Sequence, residues 1–223
     1  MIFYAQLNIE IKKEREMTQE SRTVVNMSLT EQKLENLYRR GVFFIPGAIE
    51  DSTAMIFFLD ALTHELNDIS VPIWLIINSP GGVIDQGFAV YDTIKMLVES
   101  GRTVNTVGFG EVASMALCVL QAGTKRYSFP NTQFTVHQAS IVSGGDGEQV
   151  EVNNLAEDAA ELKRMNSIIL KILSDRCGMD MKRLRRLSKK TDHTIDAQKA
   201  KEFGKNGLID EIITTLPFLN KNG

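Results

Sequence analysis

The sequence predicts an α/β fold made of alternating β-strands and α-helices, and three observations support this prediction. Residues 72–77 (PIWLII) form a continuous apolar run, which is typical of a parallel strand buried on both faces. Segments 51–67 and 84–99, on either side of that run, carry apolar residues three and four positions apart, as amphipathic helices do. The order of strand, turn and helix then recurs over 103–121, and such alternation builds layered α/β domains.

The remaining elements follow from the same periodicities. Segment 148–176 is predicted to be one long helix, which outgrows a small domain and is therefore expected to reach out and pack against another subunit. The helix at 51–67 carries an apolar row along one face, formed by Ile56, Leu59, Leu62 and Leu66. The other predicted elements are a helix at 30–40, strands at 42–45 and 103–107, a turn at 108–111, a helix at 112–121, a strand-like stretch at 127–137, helices at 181–188 and 196–204, and a strand at 208–213.

The composition is that of a soluble globular protein. The chain has 223 residues, of which 43% are hydrophobic and 24% charged, and its net charge is −3. Neither a nucleic-acid nor a membrane partner is therefore expected. The basic residues at 182–190 are interleaved with leucines, as on a solvated helix face. Residues 1–28 lack the ordered regions of a signal peptide and are assigned to an N-terminal extension, and residues 29–223 to one domain.

The cysteines indicate a reducing compartment. The two cysteines, Cys118 in an apolar run and Cys177 at a helix end, form neither a disulfide framework nor a metal-binding pattern. A cytoplasmic location is the expectation, and no metal or other cofactor is predicted. No nucleotide-binding loop is recognised, since G-x-x-x-x-G-K-[ST] is missing and no G-x-G-x-x-G follows a strand.

Ser114 is the first candidate for chemistry. It follows a strand and a turn rich in small residues, and it opens an apolar helix, where backbone N–H groups and the positive end of the helix dipole are available. This setting suits a nucleophile whose attack produces an oxyanion. Serine is also a preferred N-cap, and from spacing alone a structural cap is the better-supported alternative. The G-x-S-x-G elbow of α/β-hydrolases is absent.

A serine nucleophile needs a base, and an imidazole base needs a carboxylate to orient it. Among the three histidines, His137 ends a strand-like segment, whereas His64 is expected to be exposed on a helix and His193 to lie in a loop. Asp192 is a candidate carboxylate, but residue types alone do not favour it over its neighbours, and Asp196 is the better helix cap. Taken singly, each of these residues also has a structural explanation.

A glycine pair follows the apolar run at 72–77. Gly81 and Gly82 permit positive φ angles or a close approach of the backbone. The pair indicates either an oxyanion hole or a tight turn, and the residue pattern leaves both possibilities open.

Several blocks between about 42 and 213 resemble, in the same order, the Clp protease proteolytic subunits, the ClpP family. No single block is specific, whereas the ordered set, with a serine, a histidine and an aspartate in the family's positions, is highly specific. The blocks are INSPGGVI at 77–84 with YDT at 91–93, GEVASMA at 110–116, AGTKR at 122–126 with VHQ at 136–138, the glycines at 144–145, the segment ending in Asp192, and GLID at 207–210.

The resemblance implies a ClpP/crotonase-like fold of stacked strand–helix units, in a peptidase domain at 29–223 with a handle at about 141–178. It implies Ser114 as nucleophile, His137 as general base and then acid, and Asp192 as the residue that orients the imidazole. The backbone N–H groups of Gly82 and Met115 are implied as the oxyanion hole. A substrate is expected to add as an extended strand, beside residues that include Gly81, Val83, Ile84, Val142 and Gly144.

The resemblance also implies an assembly and a partner. A serine endopeptidase of this kind forms two stacked heptameric rings that enclose the active sites, with the handle helix between the rings. An AAA+ unfoldase of the ClpX or ClpA type is expected to feed it unfolded proteins, so any ATP dependence belongs to that partner. Glu111, Val112, Ala116 and Ala139 replace the family's usual Gln, Ala, Gly and Pro, which marks a divergent member.

Three alternatives are weighed against this interpretation. A catalytically silent ring subunit normally loses a triad residue, whereas Ser114, His137 and Asp192 are all present. A crotonase-type acyl-CoA enzyme shares the broad fold but not the histidine and handle blocks. A membrane-anchored peptidase of related fold normally carries an anchor and often a Ser–Lys pair, and no apolar run here approaches the ~18 residues of a spanning helix.

Overall fold

The computed structural model describes residues 29–67, 70–137, 152–189 and 192–219. By its internal contacts the chain divides into two units, residues 1–36 and 37–223. The described part of the first unit belongs to helix α1 (Leu29–Tyr38), which contains no buried residue. The second unit contains the remaining elements and the candidate site.

A mostly parallel sheet forms the centre of the second unit, as the sequence predicts. Its strands are β1 (Val42–Ile45), β2 (Ile73–Ser79), β3 (Val104–Ala113), β4 (Lys125–Ser128), β5 (Gln133–Val136), β6 (His193–Asp196) and β7 (Glu211–Ile212). The order across the sheet is β1-β2-β3-β4-β7, and all these pairs are parallel. Strand β5 pairs in parallel with the end of β3 and antiparallel with β6.

The helices cover this sheet and bury its residues. They are α2 (Thr53–Asn67), α3 (Ile84–Glu99), α4 (Met115–Gln121), α5 (Val152–Cys177), α6 (Met181–Ser188) and α7 (Ala197–Lys201), followed by a 3-10 helix at Pro217–Leu219. Every residue of α4 is buried, so the helix that starts beside Ser114 lies inside the core. The largest core cluster contains side chains from β1, β2, α3, α4 and the C-terminal part of α5.

A second, smaller apolar cluster lies on the opposite face of the sheet and contains strand residues that alternate with those of the main core. In β2, Leu75 and Ile77 belong to the main core, whereas Trp74 and Ile76 belong to the second cluster, where Trp74 stacks on Tyr127. All five residues from Ile73 to Ile77 are therefore buried, which confirms the prediction of a strand covered on both faces.

Helix α2 buries a different face from the one its leucines suggest. Ala54, Phe57, Ala61 and His64, spaced three and four apart, are buried. The prediction that His64 is exposed is wrong, because its ring packs edge-on against Phe43 with centroids 5.8 Å apart. Three members of the predicted apolar row are instead exposed, namely Ile56, Leu59 and Leu66.

The predicted turn at 108–111 is wrong, because β3 continues through it. Its second half leaves β4 and pairs with β5, and Val112 also pairs with Ser79 of β2. Helix α4 consequently starts at Met115 rather than at 112. The stretch at 127–137 forms parts of two strands, and the predicted strand at 208–213 shortens to β7. Just before β7, the Asp210 carboxylate accepts hydrogen bonds from Arg126.

Helix α5 confirms the prediction of a long helix in this region. Its C-terminal part is packed, with Ile169, Leu170, Leu173 and Cys177 buried, whereas residues 157–161 are exposed. The predicted first turn at 148–151, and the predicted substrate-binding residues Val142 and Gly144, lie outside the described residues.

Candidate active site

Strand register brings Ser114 and His137 to the same edge of the sheet. Strands β3 and β5 are parallel neighbours with Ala113 paired to Thr135, and the backbone N–H of Ser114 donates to the Thr135 carbonyl at 3.0 Å. Ser114 and His137 each follow the carboxyl end of one of these strands. The carboxyl edge of parallel strands is where α/β folds place ligands.

The backbone of Ser114 is strained. Its φ of 54° and ψ of −125° make it the one residue other than glycine with positive φ in the described part of the chain. Such a conformation costs of the order of 1–3 kcal/mol and persists where neighbouring contacts enforce it. Although Ser114 stands at the N-cap of α4, its side chain makes no capping hydrogen bond. The geometry therefore does not support a capping role for the hydroxyl.

The glycine pair lies directly against the nucleophile candidate. A Cβ atom on Gly81 would stand 2.6 Å from the Cβ of Ser114, and one on Gly82 would stand 2.2 Å from the Ile49 carbonyl oxygen. Both glycines have positive φ, 95° and 149°. Because no side chain fits at either position, the β2–α3 connection can touch the backbone around Ser114.

Two backbone N–H groups near Ser114 are suited to an oxyanion. The Ile49 N–H donates to the Gly81 carbonyl and the Val83 N–H to the Ile49 carbonyl, both at 2.8 Å. In this parallel bridge the bonds to Ile49 come from the neighbours of Gly82, so the N–H of Gly82 itself points away from Ile49. The N–H of Met115 is in the first turn of α4, where no intrahelical acceptor exists.

Ser114 and His137 line one cleft of about 630 Å³. Of the other residues predicted for the site, Gly82, Met115, Val83 and Ile84 also line this cleft. Gly81 is buried and does not line it. His137 is half-buried. Among the three histidines it alone lines the cleft, since His64 is buried against Phe43 and His193 packs near Phe203.

Asp192 is not among the residues that line this cleft. It is exposed and immediately precedes β6, whose antiparallel register pairs Val136 with His193. The pairing ends at that step, and one further step in the same register would set Asp192 opposite His137. Residues opposite one another in an antiparallel pair have Cβ atoms roughly 4.5–5.5 Å apart, so a continued ladder would direct the predicted carboxylate toward the imidazole.

The cleft also contains residues that the sequence analysis missed. Helix α5 contributes Leu162, Met165 and Ile169, together with Asp158 and Glu161. The three- and four-residue spacing of these positions was the available signal, because it places them on one helix face.

Asn78 is a further residue that the sequence analysis did not single out. Its Oδ1 accepts a hydrogen bond from the Glu111 N–H at 3.1 Å. That bond ties the end of β2 to the point where β3 turns toward β5.

Neither cysteine offers a second nucleophile. Burial raises the pKa of the Cys118 thiol to about 12, and burial also raises the pKa of Cys177. Both thiols therefore stay protonated near neutral pH, and the thiolate is the reactive form. Within the described ranges, no cluster of three or more His, Cys, Asp or Glu side chains is placed to hold a metal ion. None of the helices that the structure describes is both long and apolar enough to cross a membrane.

Comparison with known protein families identifies the family of this chain. The family model described as Clp protease matches residues 26–216. The match covers both strand ends of the candidate site, the glycine pair and the described part of α5. The chain therefore belongs to the Clp protease family.

Proposed function

We propose that this chain is a serine endopeptidase subunit of a ring-shaped compartmental protease, which cuts unfolded polypeptides supplied by an ATP-dependent unfoldase. The observation that carries the proposal is the strained Ser114, whose hydroxyl caps no helix and which shares one cleft with His137. Membership of the Clp protease family supports peptidase chemistry in general.

In the proposed mechanism His137 removes the proton from the Ser114 hydroxyl as its oxygen attacks the scissile carbonyl carbon. The resulting oxyanion accepts hydrogen bonds from the N–H groups of Gly82 and Met115, and removing one such donor typically costs about 10²–10³ in kcat. His137 then gives its proton to the departing amine, which leaves an acyl-enzyme. Water, deprotonated by His137, attacks the acyl carbon, and His137 returns the proton to the departing Ser114 oxygen as the acyl product is released; Asp192 orients the imidazole throughout.

Substrate recognition is proposed to use main-chain hydrogen bonds. Gly82 and Val83 are exposed beside Ser114, so an extended peptide can add there as a strand. The proposed strand-adding surface also includes Gly81, Ile84, Val142 and Gly144. Because main-chain bonding ignores side-chain identity, this mode predicts cleavage of many sequences.

Assembly of several copies is supported by exposed apolar surface. On α2, the side chains of Met55, Ile56 and Leu59 are 60%, 54% and 54% exposed. We propose that a second copy of the chain covers this row within a heptameric ring, and that α5 acts as the handle between two rings of ClpP/crotonase-like subunits. The unfoldase, of the ClpX or ClpA type, supplies the ATP-driven step.

One observation favours the alternative of a catalytically silent ring subunit. Asp192 does not line the cleft, and it is exposed. A triad whose third member is out of place would leave His137 poorly oriented.

Labelling with a fluorophosphonate distinguishes the two functions. We expect intact-mass analysis of the assembled protein to show one adduct per chain, and none in Ser114→Ala. Ser100→Ala removes an exposed hydroxyl at the end of α3 and should keep the adduct. An adduct that survives Ser114→Ala, or an unlabelled wild-type ring, would contradict the proposed chemistry, and the second result would favour the silent subunit.

A further inference from the structure

The floor of the candidate cleft is apolar. It is lined by Ile84, Met115, Leu162, Met165 and Ile169, of which Met115 is 1% and Ile169 8% exposed. These side chains lie in the same cleft as Ser114. A volume of about 630 Å³ is within the range of sites that hold drug-sized ligands, about 300–1,000 Å³.

Helix α5 joins this floor to an acidic rim. Along one face of the helix, Asp158 and Glu161 come first, followed by Leu162, Met165 and Ile169. At 1.5 Å per residue, Asp158 lies about 6 Å along the axis from Leu162 and about 16 Å from Ile169. An extended peptide advances about 3.3 Å per residue, so for a peptide that runs alongside α5 the rim would lie roughly two to five substrate residues away from the floor.

Neighbouring cations cancel only part of the negative charge of the rim. Four carboxylates line the cleft, those of Glu50, Asp85, Asp158 and Glu161, and no lysine or arginine is among its described lining residues. Arg164 donates to Glu161 from Nε at 2.7 Å, and its charge also interacts with Asp85. One guanidinium, itself 61% exposed, offsets one of the four negative charges.

From this arrangement we infer that Asp158 and Asp85 are specificity-determining residues of the proposed peptidase. The favoured substrates are unfolded segments in which an apolar residue enters the floor beside Ser114 and a lysine or arginine follows or precedes it within about five residues. Segments with aspartate or glutamate at those positions are disfavoured, because like charges meet across the rim. The inference rests on the proposed function and names its substrate class.

The test compares internally quenched peptides that share one central leucine and differ only in carrying lysine, serine or glutamate at the flanking positions. We expect kcat/KM for the lysine peptide to exceed that for the glutamate peptide by about tenfold in low salt, since several weakly screened charges act together. The ratio should fall toward one in 1 M salt, where the Debye length shrinks to about 3 Å.

Variants that each lack one carboxylate charge test whether the preference for lysine over glutamate peptides comes from the rim. Asp158→Asn and Asp85→Asn should each lower the lysine-to-glutamate ratio about two- to fivefold, as removal of one partly exposed charge does. Asp175→Asn is the matched control, because it makes the same change on α5 at an exposed residue paired with Lys171, outside the cleft. A ratio that falls equally in the control would overturn the assignment.

A binding measurement keeps this inference separate from the proposed chemistry. Fluorescence anisotropy with the uncleaving Ser114→Ala protein reports the affinity for each labelled peptide without turnover. Equal affinities and equal kcat/KM for lysine and glutamate peptides would overturn the inference, even if the serine peptide is cut. Loss of cleavage for all peptides, with the lysine preference retained in binding, would instead overturn the proposed function alone.

Discussion

Replacing Gly87 by alanine sets two energetic effects against each other beside the candidate nucleophile. Gly87 lies in α3 and faces the first residue of α4. A Cβ atom there would stand 2.1 Å from Cγ of Met115, 2.9 Å from its Cε and 3.1 Å from its Sδ. Met115 directly follows Ser114, and its N–H is one of the two proposed oxyanion donors, so the contact connects helix packing to catalysis.

The two effects differ in size. Alanine in a helix interior is more favourable than glycine by about 0.8–1 kcal/mol, whereas overpacking a filled core costs about 1–3 kcal/mol. The closest atom is Cγ, near the backbone of a side chain that is 1% exposed, so Met115 has little room to move away. Overpacking should therefore win by about 1–2 kcal/mol. In a chain of this size that corresponds to a Tm lower by about 2–8 °C.

Thermal unfolding and peptide hydrolysis are measured on Gly87→Ala, Met115→Ala and the double variant. In the Met115→Ala background the steric conflict is absent, so Gly87→Ala should be neutral or stabilising by up to about 1 kcal/mol. In the wild-type background kcat should also fall about tenfold, because a displaced oxyanion donor loses part of its effect. An equal loss of Tm in both backgrounds would refute the reasoning, since Met115 would then not be the cause.

Three further changes test other parts of the structure. Burial acts to raise the pKa of Asp210, but hydrogen bonds and charge from buried Arg126 outweigh it and lower that pKa. Stability should therefore fall as pH drops below about 4; urea titrations should show a smaller loss in Asp210→Asn, which is already weaker by about 2 kcal/mol at pH 7. Asn78→Ala should lower kcat about tenfold in steady-state assays with KM nearly unchanged, because the Glu111 N–H loses its acceptor, whereas Asn78→Asp should keep activity. Leu59→Glu should dissociate the assembly in mass photometry without lowering helix content, and an intact ring would contradict the proposed interface.

Much of the fold could be predicted because strong local patterns mark it. The continuous apolar run fixed β2 to within two residues, and period-3.6 apolar positions located α3. The second half of β3 could not be predicted, since Gly108 and Gly110 signal a turn locally. Its strand character comes from pairing with β5, about twenty residues further along the chain. Long-range pairing of this kind has no signal in the residues themselves.

The buried face of α2 was predicted wrongly for a related reason. The helix buries small residues such as Ala54 and Ala61 together with His64, while Ile56 and Leu59 stay exposed. A hydrophobic pattern identifies the most apolar face, and that face is the core face only when no partner competes for it. The misassigned row is therefore consistent with the proposed ring contact.

The residues of the candidate site were predicted one by one from the ordered sequence blocks that resemble the ClpP family. The geometry of the site was not predicted. No local pattern indicates the φ of 54° at Ser114, because serine rarely adopts it without tertiary contacts. The contribution of α5 to the cleft wall was also missed. The periodicity of a helix identifies its apolar face but not the part of the protein against which that face lies. The roles of these residues therefore stay predictions from the sequence, whereas strain and enclosure depend on how distant segments meet.

Those meeting segments explain why Ser114 can hold its strained backbone. The Thr135 carbonyl accepts its N–H, its own carbonyl accepts the Leu117 N–H, and Gly81 leaves no space beside its Cβ. Each constraint comes from a different element, so relaxing φ at Ser114 would break a contact with β5, α4 or the glycine connection. The cost of about 1–3 kcal/mol is therefore shared by the whole fold. The position of the Ser114 hydroxyl therefore depends on the point near Gly110 where β3 stops pairing with β4 and starts pairing with β5. Substitutions at this point should change the rate of labelling at Ser114 more than they change the stability of the sheet.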